Sequence, residues 1–237
     1  MQASLFVTIG IGTLAVIVAS GFVLAYSIAV ERTGGHRVYA RMGARAAVLG
    51  WMALFAALAE SGKLLRFDVR PPPLAMAMAS FVVSGVGLGV SRVGTVFARA
   101  LPISWLVAAQ SFRLPLELVM HQAAREGVMP VEMSFTGYNF DIVTGASALV
   151  VAWLEYKGRA SDTLVFAWNV MGSVLLAVVV TVAVLASPMI RAFGDEPTHV
   201  NSFVAHFPFV WLGAVLVPSA AFGHVVIFRA LKMRAKQ

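Results

Sequence analysis

Long apolar runs alternate along this chain with short segments that collect its charges. Residues 5–30 contain no charged side chain at all. Residues 46–65 are apolar up to Glu60 and Lys63, and residues 73–90 are rich in Ala, Gly and Ser. Residues 102–124 form a fourth run with Arg113, Glu117 and His121 inside it. Residues 141–156, 163–187 and 208–231 complete the pattern. A helix that crosses a bilayer needs roughly 20 apolar residues. The pattern therefore predicts an all-α, polytopic transmembrane bundle of about seven spans. The fifth, 141–156, stands at the lower limit of length. The connections are too short to fold separately, so residues 1–237 are expected to form a single transmembrane domain.

Composition removes the soluble alternatives. Hydrophobic residues make up 59% and charged ones 12%, against about 45–50% and a quarter in soluble domains. Cys is 0, so no disulfide framework or thiolate metal site can form. A net charge of +7 would suggest nucleic acid in a soluble protein. Here the basic residues sit at the ends of apolar runs, where they encode topology. No nucleic-acid partner is expected; the bilayer itself is the partner, with a membrane protein or a second copy as the further alternatives. Arg32, Arg37, Arg41 and Arg45 follow the first run, and Arg229, Lys232, Arg234 and Lys236 end the last. Placing both clusters inside puts the N-terminus out and the C-terminus in. The first run lacks a basic leader and is longer than a signal peptide's apolar core, so it reads as a retained span.

The fourth run carries the most chemistry. Gln110, Arg113, Glu117 and His121 recur at spacings of three and four, which places them on one helix face. At about 1.5 Å per residue, Arg113 lies roughly 16 Å from Pro102, near the bilayer midplane. An ionised group there costs at least about 2.5–3.5 kcal/mol, so this face must look into protein. Arg113 and Glu117 at i,i+4 are natural partners, and Pro115 releases the carbonyl at position 111. The same residues admit a structural ion pair or a proton-handling site, with His121 and Glu117 as a relay. Glu117 and His121 at i,i+4 could also hold a metal, with His206 as a third ligand from the start of the last run. Cofactor expectations run from none, through zinc or iron at Glu117, His121 and His206, to a haem between His121 and His206.

Other polar residues have simpler alternatives. Asn139 or Asp141 suits a helix cap, and Asp141 alternatively a substrate or ion site. Asn169 suits an interhelical hydrogen bond or a site lining. Counted eighteen residues from His206, His224 is expected near the inner face, outside the site. Gly85-x-x-x-Gly89 reads as a close helix contact. Two segments share P-x-x-W-L, at 102–106 and 208–212, and Pro115/His121 and Pro218/His224 share a spacing, as inverted repeats would. The long connections 127–140 and 188–207 are outer loops of the length that often carries function.

The elements R-x-P-x-E-x-x-x-H (113–121), G-x-N-F-D-I (137–142), an E-P pair (196–197) and P-F-V-W-L (208–212) resemble a family of small uncharacterised bacterial polytopic inner-membrane proteins. The resemblance spans residues 104–231 and implies a bacterial inner-membrane setting; it implies no activity. The site expected from the residues joins Arg113, Glu117, His121, Asp141, Asn169 and His206 near the outer face. Three functions fit it: proton-linked small-molecule handling or transport, a membrane-embedded Glu/His metal enzyme, and an accessory subunit of a larger complex.

Overall fold

A computed structural model describes residues 3–236, and helices dominate them, with no strand among the described residues. The helices are α1 (Leu5–Arg32), α2 (Arg37–Glu60), α3 (Pro73–Val90), α4 (Arg92–Ala100), α5 (Ile103–Ala108), α6 (Arg113–Arg125), α7 (Ile142–Tyr156), α8 (Asp162–Leu185) and α9 (Val217–Arg234). Five helical stretches are long and apolar enough to cross a membrane. A sixth arises if α4 and the α5–α6 stretch, bent by 117°, count as one broken span; α7 is apolar but short.

Local signals set the boundaries. The Ser4 hydroxyl caps α1 by accepting from the Val7 amide at 3.3 Å, and Ser161 caps α8 through Leu164 at 3.1 Å. Pro73 opens α3 at the position where a missing amide costs nothing. The connection at 91–101, which reads as an inner loop, is in fact helical. Ser91 caps α4, and Val93, Val96, Phe97 and Ala100 recur at helical spacing and pack inward. Phe22, Phe97 and Phe222 then lock α1, α4 and α9 together, with ring centroids 4.9–5.4 Å apart.

The last long helix is the most enclosed and forms the axis of the bundle. α3 lies directly against it because Gly85 and Gly89 present no side chain. A Cβ on Gly85 would stand 2.6 Å from the Pro218 carbonyl oxygen, and one on Gly89 2.7 Å from Val225 Cβ. The small-residue spacing is thus a helix contact.

Each proline in a polar or central helix sits beside an irregular turn. Residues Ala109–Phe112 form a 3-10 turn before Pro115, and Leu212–Leu216 form a π turn before Pro218. Pro218 cannot donate to the Ala214 carbonyl four residues back. The Trp51 indole of α2 donates to that oxygen instead, at 2.7 Å. Trp211 reciprocates by donating to the Met52 carbonyl at 3.0 Å. This clasp ties α2, otherwise peripheral, to the axis. Trp51→Phe keeps the ring but leaves the carbonyl without its donor, and is expected to cost about 1 kcal/mol. The check is a lower thermal-unfolding midpoint of purified protein in a fixed detergent; an unchanged midpoint would show that the clasp adds nothing.

The ends of the segments sort to two opposite ends of the bundle. At one end, Ser4 donates its amide to Glu126 at 2.8 Å, and Glu132 pairs with His199 at 2.6 Å. At the other, Arg32 donates to the Ala100 carbonyl at 3.1 Å, and Arg234 bridges Glu155 and Asp162 at 2.5 and 2.7 Å.

Candidate functional site

The start of α6 is where the interior becomes polar. Arg113 is 1% exposed and Glu117 2%. By helical rise, Arg113 lies about 18 Å below Arg125 at the end of α6, deep inside the bundle. The charges are met from other elements. Asp141 Oδ2 stands 2.8 Å from Arg113 Nε, and Arg113 Nη1 reaches His224 Nε2 at 2.9 Å. Glu117 receives the Asn139 amide on both oxygens, at 2.9 and 2.8 Å.

This arrangement differs from the i,i+4 pairing of Arg113 with Glu117. An arginine placed N-terminal to its carboxylate is the less favourable order on a helix, and a buried guanidinium gains more from a carboxylate held by a different helix. Asp141 supplies it. Its carboxylate makes no capping bond to α7; instead Asn139 Oδ1 accepts from the Asp141 amide at 3.0 Å, turning the chain into the helix.

The short length of α7 follows from the same geometry. Residues 127–140 dip into the bundle, burying Met129, Met133 and Asn139, and α7 starts only at the depth of Arg113. Irregular backbone at such depth requires internal partners. The dip provides them: Ser134 donates to the Val131 carbonyl, Tyr138 to Glu132 and Asn139 to Ser134, all at 3.0–3.2 Å. Asn139 Nδ2 also donates to the Met133 carbonyl at 2.9 Å.

His224 belongs to this site, contrary to the expectation that it lies near the inner face. That expectation measured helical rise from His206, which is exposed on an extended stretch outside the helix. Measured from Arg234, where α9 ends, His224 is ten residues inward, or about 15 Å. Asn169 fixes its ring. The Asn169 amide donates to the His224 carbonyl at 3.0 Å, so its Oδ1 faces His224 Nδ1 at 2.7 Å as an acceptor. Nδ1 therefore carries the ring proton and Nε2 is left to accept from Arg113. Gly172 makes room for the ring: a Cβ there would meet His224 Cε1 at 2.6 Å. Asn169 is thus both an interhelical hydrogen bond and part of the site's support.

His121 and His206 are not brought to Glu117. The His121 ring stacks on Phe135 of the dipping loop, centroids 4.3 Å apart, and His206 is exposed. Among the described residues no group of three His, Cys, Asp or Glu side chains is placed to hold a metal ion. The ligand set Glu117, His121 and His206 is therefore not assembled. Nor are the two Pro/His pairs equivalent, since His224 bonds Arg113 while His121 stacks on a loop.

The network borders a cavity of about 400 Å3, lined by α3, α6, α8 and the turn that begins the last helix. Its walls are mostly aliphatic, with Phe81 and Phe112 among them, and Arg113, Glu117, Asp141, Ser187 and Asn201 supply polar edges. The volume falls in the range of small-molecule pockets. Five buried polar atoms of the lining residues make no hydrogen bond to protein: Arg113 Nε and Nη2, Asp141 Oδ1, Ser187 Oγ and Asn201 Oδ1. Two residues absent from the expected site, Asn139 and His224, complete it. His224 had a readable signal in the basic end of α9; Asn139 had none, because only the dip of the loop carries it inward. In comparisons with known proteins, no family model, no curated protein and no solved structure matched the chain.

Proposed function

We propose that this chain is an integral protein of a bacterial inner membrane, with the N-terminus outside, and that it handles a small molecule in its interior with linked movement of a proton. The observation that carries the reading is the apolar cavity that ends on Arg113, Asp141 and Glu117. Ionisable side chains inside a membrane protein are costly and mark substrate or proton pathways. The three have separate tasks here. Arg113 and Asp141 compensate each other, and His224 and Asn169 orient the guanidinium. Glu117 has no cation within salt-bridge distance among the described residues and is held by the Asn139 amide. It can therefore take or release a proton without breaking an ion pair.

The route outward is short. His121 lies one turn from Glu117 toward the outer end of α6, and the loop that carries Asn139 is pinned to the next outer connection by Glu132 and His199. Glu117→Gln keeps the shape and one of the two oxygens that accept from Asn139 but removes the exchangeable charge. In proteoliposomes loaded with pyranine and clamped with potassium and valinomycin, wild-type protein is expected to dissipate an imposed pH step faster than protein-free vesicles. The variant is expected to fall to the protein-free rate. Equal rates for wild-type and variant overturn the proton-linked reading.

A further inference from the structure

We infer that the cavity takes a hydroxyl-bearing, uncharged amphiphile that enters sideways from the bilayer between α3 and α8. The inference rests on the small-molecule pocket proposed above and adds the chemistry of its occupant and the path of entry. The path is visible in the packing. α3 and α8 each pack on the last long helix but not closely on one another. Between them runs a crevice floored by Val217 and rimmed by Met78 and Val82 of α3 and Leu176 and Val180 of α8. It continues beyond the cavity as a second hollow of about 450 Å3, which shares Val82, Leu176, Val180 and Val217. Those rims are aliphatic and half-buried. A polar solute gains nothing from such an entry; an acyl or isoprenoid chain loses nothing, because the walls are as apolar as the bilayer it leaves.

The head group follows from the unpartnered polar groups at the end of the cavity. Arg113 Nε and Nη2 and the Ser187 hydroxyl are donors, Asp141 Oδ1 and Asn201 Oδ1 are acceptors, and all four residues border the cavity. A hydroxyl is both an acceptor and a donor, so it suits an end of the cavity that mixes the two kinds of group. A carboxylate suits it less, having no proton to donate, and a carboxylate or a phosphate would bring a further negative charge beside Asp141 and Glu117, where the one guanidinium is already paired with Asp141. The π turn at Leu212–Leu216, which lines the same cavity, widens the helix where the chain of the ligand would lie.

The test uses the full chain in nanodiscs and hexadecanol carrying a diazirine at mid-chain as the photoprobe. Mapped labelling is expected on the α3 and α8 peptides that contain Val82 and Val180, and unlabelled hexadecanol is expected to compete it away. Hexadecanoate at alkaline pH, with the same chain and a charged head, is expected to compete about tenfold more weakly. Val82→Trp, which fills the crevice, is expected to abolish the competable labelling; Val83→Trp, on the lipid side of α3, is expected to retain it. Labelling that hexadecanol does not compete is bilayer contact and overturns the inference, as does equal competition by hexadecanoate. Crosslinking of α3 or α8 to a second copy of the chain at Val82 overturns it in favour of a helix-filled crevice. Loss of specific labelling with an intact Glu117-dependent proton flux defeats the lipid occupant alone. Loss of the Glu117 dependence with intact labelling defeats the proton-linked reading instead.

Discussion

Arg113→Leu is expected to destabilise the protein by about 3–5 kcal/mol, the cost of stranding a buried carboxylate without its base. Asp141 is 4% exposed and has no other cation within salt-bridge distance among the described residues. His224 Nε2 loses its donor at the same time. The loss is therefore larger than that of the arginine's own contacts. Arg113→Leu combined with Asp141→Leu removes both charges and is expected to recover most of the stability, because two apolar side chains replace a pair that was expensive to bury. Thermal unfolding of the three proteins in one detergent, followed by size-exclusion fluorescence, measures the difference. If Arg113→Leu unfolds with the wild type, the guanidinium is not paired in the interior, and the site described above does not exist.

Gly145→Val is expected to be comparably damaging, for a steric reason. A Cβ at this position of α7 would stand 2.9 Å from both the carbonyl carbon of Arg113 and Leu114 Cα, and closer still to the Leu114 amide nitrogen. Backbone atoms of a helix cannot swing aside as a side chain does, so α7 must move away from α6. Overpacking of this kind costs about 1–3 kcal/mol. It also parts Asp141 from Arg113, which adds to the loss. Gly50→Ala in α2 is the control, since nothing lies within 4 Å of its added Cβ. It is expected to be neutral or to stabilise by up to about 1 kcal/mol through helix propensity. Equal midpoints for the two substitutions would show that α6 and α7 are not in backbone contact.

Most of the helical pattern was readable because water and lipid reject the same things everywhere along a chain. Every apolar run of the sequence became helical, and the charged connections fell at the two ends of the bundle. The run at 141–156 stood out as short, and its shortness has a local cause that composition does not encode. The preceding loop enters the bundle and takes over part of the path that a helix would otherwise cover. The helix at 92–100 was legible in the spacing of Val93, Val96, Phe97 and Ala100, but three arginine-flanked turns of chain between longer runs resemble a plain connection.

The candidate site divides in the same way. Position along a helix told which residues share a face, so Arg113 and Glu117 could be placed in the interior from spacing and the cost of burying charge. Spacing also put His121 on their stripe, yet that residue turned to Phe135. His206 looked close because it opens an apolar run, but the helix begins beyond it, and its side chain is exposed.

The sequence by itself determined that the chain is helical and apolar, that its charges lie at segment ends, and that Arg113 and Glu117 had to be shielded from lipid. Each of these depends on the preference of one residue or one face for one solvent, which is local. Only the tertiary structure decided who the partners are: Asp141 and His224 for Arg113, Asn139 for Glu117, and a crevice left open between α3 and α8. Those choices depend on how far helices approach and where a loop dips, quantities set by glycine contacts and proline-linked turns acting across the whole bundle.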